Sequence, residues 1–118
     1  MIKISLDEAY VFDYLSILEV KISQATDIKK SELSRAFAET KHEVIKSIGS
    51  NLYDTIVNSY EYNQLINCNK KIFLLVDRAN ECELSKLTAD SNYERYLLKT
   101  KLQEKFFQKK LLETKLLK

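Results

Sequence analysis

Residues 5–25 read Ser5-Leu6-Asp7-Glu8-Ala9-Tyr10-Val11-Phe12-Asp13-Tyr14-Leu15-Ser16-Ile17-Leu18-Glu19-Val20-Lys21-Ile22-Ser23-Gln24-Ala25, and their periodicity decides the fold class. At about 100° per residue, Val11, Leu15, Leu18, Ile22 and Ala25 form one apolar stripe. Leu6, Ala9, Tyr10, Ile17 and Val20 form a second. Ser5 followed by Glu8 is a capping box, in which the hydroxyl accepts from the amide of residue 8 and the carboxylate reaches back. A helix is therefore predicted from Ser5 to about Ala25. Only a narrow strip around Glu8, Ser16, Glu19 and Ser23 is left for water, which predicts a helix that is central in a bundle or shared with another subunit.

The rest of the chain extends this reading. It holds no proline and one glycine, Gly49, so almost nothing interrupts helical periodicity. A second helix is predicted from Asp27 or Ser31 to Ile48, with Leu33, Phe37, Val44 and Ile48 on one stripe. Glu32, Arg35, Glu39, His42, Glu43 and Lys46 occupy the opposite face, so this is an outer helix, closed by Gly49 as a left-handed C′ residue. Beyond Ser50-Asn51, the stripe of Leu52, Ile56 and Tyr60 gives way near Asn67 to Leu65, Cys68, Ile72, Leu75, Val76 and Ala79. With no Gly or Pro there, one continuous or kinked helix over 51–83 is expected.

A second capping box, Ser91 to Glu94, predicts a last helix reaching Leu117 with an overhanging end. Leu98, Leu102, Phe106 and Leu116 fall on one side of it. Tyr93, Leu97, Phe107 and Leu111 fall on the other, and a helix with two apolar faces calls for a second partner. These four are the candidate interface for self-association. The fold class is all-α, an antiparallel helical bundle of four to five helices with a long C-terminal helix, in a single domain over 1–118.

Composition narrows the function classes. Apolar residues make up 45% of the chain and charged residues 31%, too hydrophobic for a disordered protein. No apolar run approaches the roughly 18 residues that span a bilayer, and the first ten residues carry acids where a signal peptide needs its apolar stretch. A cytoplasmic protein is expected, in the host cytoplasm if phage-encoded. Sixteen lysines against three arginines, with ten isoleucines and seven asparagines, suggest AT-rich coding and a bacterial or phage origin. Cys68 and Cys82 are fourteen residues apart, and on one helix would lie roughly 21 Å from each other, too far for a disulfide. Free thiols are expected.

Charge is uneven: residues 1–90 carry a net −3 and 91–118 a net +5. Nucleic-acid binding through the lysine-rich C-terminal helix is therefore an alternative function. Lys99, Lys101, Lys105, Lys109, Lys110 and Lys115 are nevertheless spread around the helix, and three arginines are few for base readout. No membrane partner is expected.

Glu39 and His42 match the Glu-x-x-His half-motif of di-iron bundles, but the chain has one histidine and the pair falls on the polar side of its helix. Glu39 with Glu43, and Asp77 with Glu81, are carboxylate pairs of the kind a small all-helical metal-dependent nucleotide hydrolase places on Mg²⁺. That activity is the second alternative, weakened by the missing Glu-Glu-x-x-Glu run. No catalytic residue, metal or cofactor is assigned.

Asp13 lies inside an apolar stripe, where an unpaired carboxylate is costly, and calls for a tyrosine hydroxyl, lysine or arginine from another helix. Tyr60, Asn63, Asn67, Lys71, Arg78 and Glu81 align at helical spacing and join Asp13 as a candidate polar strip or pocket. The expected function is a non-enzymatic α-helical interaction or structural module, a self-associating accessory protein whose partner is protein.

Overall fold

Backbone bonds close the first two helices, and short polar side chains set the junction between the third and the fourth. In the computed structural model, which describes residues 2, 4–75 and 81–111 and the backbone alone at 81–85, the chain forms five helices. They are α1 (Glu8–Gln24), α2 (Asp27–Ile48), α3 (Ser50–Val57), α4 (Tyr60–Leu75) and α5 (Glu81–Phe107). The bundle expected from periodicity is present, and several of its boundaries differ.

α1 starts at Glu8, not Ser5. Asp7 is its extended N-cap residue and makes no side-chain capping bond. The orphan amide of Ala9 is satisfied from across the bundle, by the Gln103 side chain of α5 at 2.8 Å. α2 is an outer helix in which Val44 is the buried residue. It stops at Gly49, whose φ of +90° is strained for any side chain, and α3 starts at the next residue.

The single helix expected over 51–83 is instead two helices and the start of a third. The break falls at Asn58-Ser59, ahead of the asparagines where the stripe changes. Asn58 Nδ2 donates to the Asp54 carbonyl at 2.8 Å, satisfying the last turn of α3. Ser59 Oγ donates to the Ile56 carbonyl at 2.5 Å and accepts from the Tyr62 amide at 3.2 Å, so one hydroxyl closes α3 and caps α4. Residues 81–83 belong to α5.

α5 passes straight through the capping box expected at Ser91. That serine is buried, and its carbonyl accepts from the Cys68 thiol at 3.6 Å. The helix ends at Phe107, and Gln108 turns the chain with φ +55°. The extension expected to Leu117 is therefore interrupted, and 112–118 lie outside the described residues.

α1 packs against α2, α4 and α5, the central position that is one of the two its stripes allow. Its Phe12 ring lies 6.2 Å from Tyr53 and from Tyr62, and 6.4 Å from Phe107. Ala9, Leu15, Val44, Ile56, Leu65, Leu102 and Leu111 pack in the same core. Each large side chain buried there contributes about 1.5–3 kcal/mol.

Contacts between α1 and α4 pair Glu19 with Tyr62 and Asp13 with Asn69. Those between α1 and α5 pair Ala9 with Gln103 and Asp13 with Arg95. Those between α4 and α5 pair Glu61 with Lys105 and Lys71 with Glu94. In each pair sequence order runs oppositely, yet three axes cannot all be mutually antiparallel. The helices therefore cross obliquely, and a polar cluster fills their meeting point.

Candidate functional site

Asp13 and Ser16 of α1, Asn69 of α4 and Arg95 of α5 form that cluster. Asn69 Nδ2 donates to Asp13 Oδ1 at 3.0 Å and to Ser16 Oγ at 2.7 Å. The Ser16 hydroxyl donates to the Asp13 carbonyl at 2.6 Å. Arg95 places Nε 3.5 Å from Asp13 Oδ2 and donates from Nη1 to Asn69 Oδ1 at 3.4 Å. The arginine partner that Asp13 calls for is thus supplied by α5. Among the described residues, no buried side-chain nitrogen or oxygen is left without a hydrogen bond.

Ser16, expected to face water, is fully buried. Together with Asn69 and Arg95 it is a site residue that periodicity missed. Asn69 carried a readable signal, because it sits at helical spacing among Tyr62, Leu65 and Ile72, a polar residue within an apolar face as Asp13 is. Cys68, beside Asn69 in sequence, is a buried free thiol. Burial first, and then Glu94, pushes its pKa up and keeps it protonated.

The strip drawn from Tyr60 to Glu81 does not converge on Asp13. Tyr60 is 71% exposed, and Asn63, Asn67 and Lys71 also face solvent. Asn63 Nδ2 donates to the Ser59 carbonyl at 2.9 Å. Lys71 donates to Glu94 at 2.6 Å, and this bond raises the pKa of its ammonium. Arg78 lies outside the described residues, as does the side chain of Glu81.

Two further polar contacts tie the helices. Gln103 is fully buried, and besides its bond to Ala9 it donates from Nε2 to Glu8 Oε2 at 3.1 Å. The Tyr62 hydroxyl donates to Glu19 Oε2 at 2.5 Å. Burial chiefly, and then the Glu19 carboxylate, holds the Tyr62 phenol well above its ordinary pKa. Tyr53 is raised by burial and by the charges of Glu19 and Asp54. The Glu8 carboxylate is engaged by α5, that of Glu19 by α4 and that of Asp13 by both, an arrangement that fixes α1 against its two neighbours.

The four candidate interface residues divide into two pairs. Tyr93 and Leu97 are 64% and 40% exposed on the outer side of α5, with the Tyr93 ring 6.4 Å from that of Tyr96. Phe107 instead packs against Phe12, and Leu111 is fully buried in the core. Those two belong to the chain's own interior and are withdrawn from the interface.

The lysines of α5 divide as well. Lys99 is buried with its ammonium 4.2 Å from the Tyr10 ring centre, and Lys105 pairs with Glu61 at 2.6 Å. Glu39, His42 and Glu43 are exposed on α2, and Asp77 is outside the described residues. Among the described residues no three His, Cys, Asp or Glu side chains gather as a metal site, and no helix is long and apolar enough to cross a membrane.

Compared with family models, curated proteins and solved structures, the chain matches none.

Proposed function

We propose that the protein is a non-enzymatic helical interaction module that self-associates through the outward face of α5. The observation that carries this reading is the joint exposure of Tyr93 and Leu97, four residues apart on one side of that helix. Tyr93 supplies an aromatic anchor of the kind enriched at interface centres, and Leu97 at i+4 extends it into a small apolar patch. Asp90 lies toward one end of this exposed face and Lys101 toward the other. A second α5 laid antiparallel across it sets Asp90 of each copy near Lys101 of the other, which is the self-complementarity of a two-fold interface. The reading is further supported by the engaged carboxylates in the interior and by the consumption of Lys99 and Lys105 in contacts within the chain.

So short an anchor implies a weak dimer, since stable interfaces bury about 1,200–2,000 Å² in total. The test is solution mass by light scattering over a concentration series, for the wild type and for the paired variant Tyr93→Lys/Leu97→Lys. A mass that rises toward twice the monomer in the wild type and stays monomeric in the variant is expected. A monomer at every concentration refutes the proposal.

A further inference from the structure

A cleft of about 190 Å³ opens at the surface beside the Asp13 and Arg95 pair, between α1, α4 and α5. Its walls are apolar, formed by Ile17 and Val20 of α1 and by Ile72 and Phe73 of α4. Arg95 and Asn69 also line it, and Lys21 is an exposed cation on its edge. We propose that this cleft binds a small amphipathic monocarboxylate, with an aromatic ring or short alkyl chain between the walls and the carboxylate on Arg95 and Lys21.

Size and charge select this class. An apolar cavity of about 150 Å³ holds a benzene ring, so this cleft accommodates one ring or a short chain together with a head group. Arg95 and Lys21 bring two positive charges, and Asp13, in contact with Arg95, brings one negative charge. The remaining single positive charge calls for a single negative one. Among the described residues, Arg95 directs Nε to Asp13 and Nη1 to Asn69, and a guanidinium carries five N–H donors, so its fork has others to offer an acceptor in the cleft. A planar carboxylate matches that fork, and a wall of branched aliphatic and aromatic side chains matches a hydrocarbon body. The site is independent of self-association, because it draws on none of the residues of the outward face of α5.

The experiment is a titration of the full chain at pH 7 and constant ionic strength, following the methyl resonances of Ile17, Val20 and Ile72 by NMR. The probes are benzoate, hexanoate, acetate and benzyl alcohol. Benzoate or hexanoate is expected to shift these methyls to saturation with a Kd of about 1 mM, the range open to a ligand of so few atoms. Acetate, which lacks the body, and benzyl alcohol, which lacks the charge, are expected to bind about tenfold more weakly or not at all. Lys21→Glu, at an exposed position, is expected to keep the fold and weaken the better carboxylate about fivefold. The proposal is overturned if neither carboxylate gives a saturating shift, if benzyl alcohol binds as tightly as benzoate, or if Lys21→Glu leaves the carboxylate Kd unchanged.

Discussion

Removing Arg95 alone from the helix junction is expected to destabilise the protein more than replacing Arg95 and Asp13 together. The Asp13 side chain is 8% exposed, and its Oδ2 lies 3.5 Å from Arg95 Nε. At an effective dielectric constant of about 20, that separation corresponds to a gross attraction of about 5 kcal/mol, most of it offset by the desolvation of the two groups. Arg95→Met keeps the aliphatic stem but leaves the buried carboxylate with Asn69 alone. Breaking a fully buried pair in this way costs about 3–5 kcal/mol; because Arg95 is 28% exposed, about 2–3 kcal/mol is expected here. Asp13→Leu removes an acceptor from Asn69 and strands Arg95, which can reach water, so about 1–2 kcal/mol is expected.

The double variant replaces the pair by apolar contacts and leaves Asn69 bonded to Ser16. It is expected to cost about 1–2 kcal/mol, less than the two singles combined by about 2–3 kcal/mol. Urea unfolding followed by circular dichroism at pH 7 measures all four proteins, with equal m-values as the check that the comparison is valid. Losses that add to within about 0.5 kcal/mol would refute the argument, since they would mean that the two groups do not interact across the junction.

Gln103→Leu is expected to cost about 1–2 kcal/mol in the same assay, because the Ala9 amide loses its acceptor at the start of α1. Tyr62→Phe is expected to cost about 1 kcal/mol at pH 7 and to flatten the loss of stability at high pH. Because the folded-state pKa of Tyr62 is raised above its unfolded value near 10, its contribution is full below about pH 10 and falls as pH rises beyond it. Unfolding series from pH 8 to pH 11 measure that slope, and an unchanged slope in Tyr62→Phe contradicts the assignment. Gly49→Ala is expected to cost about 1–3 kcal/mol through its backbone conformation alone, φ +90° with ψ 156°, since nothing lies within 4 Å of where the methyl group would sit.

The course of the helices was legible where apolar periodicity was strong. The two stripes of α1 marked it as central or shared, the single stripe of α2 placed it outside, and Asp13 in an apolar stripe called for a hydroxyl or cationic partner from another helix. Ser16 was misread because a helical serine scores as polar. Its hydroxyl bonds the carbonyl three residues back and is thereby suited to a dry interior. The break at Asn58-Ser59 went unread because it uses side-chain bonds to neighbouring carbonyls and carries neither Gly nor Pro. The capping box at Ser91 was a false signal, because a box specifies a start only where the preceding residues leave the helix, and here α5 has already begun at Glu81. Phe107, the last residue of α5, packs inward on Phe12, and Leu111 looked like part of the same outer face only on the assumption of an unbroken cylinder. Once Gln108 turns the chain, Leu111 leaves that cylinder and enters the core. Gln103 and Arg95 depend on contacts some 80–95 residues distant in sequence, which local pattern does not encode.

Self-association through α5 makes stability depend on protein concentration, because a partner that binds only the folded chain raises the melting temperature by mass action. The most direct test is therefore thermal unfolding followed by circular dichroism at about 5 μM and about 500 μM, for the wild type and Tyr93→Lys/Leu97→Lys. The account predicts a midpoint that rises by several degrees with concentration in the wild type and stays constant in the variant. A wild-type midpoint independent of concentration would contradict it.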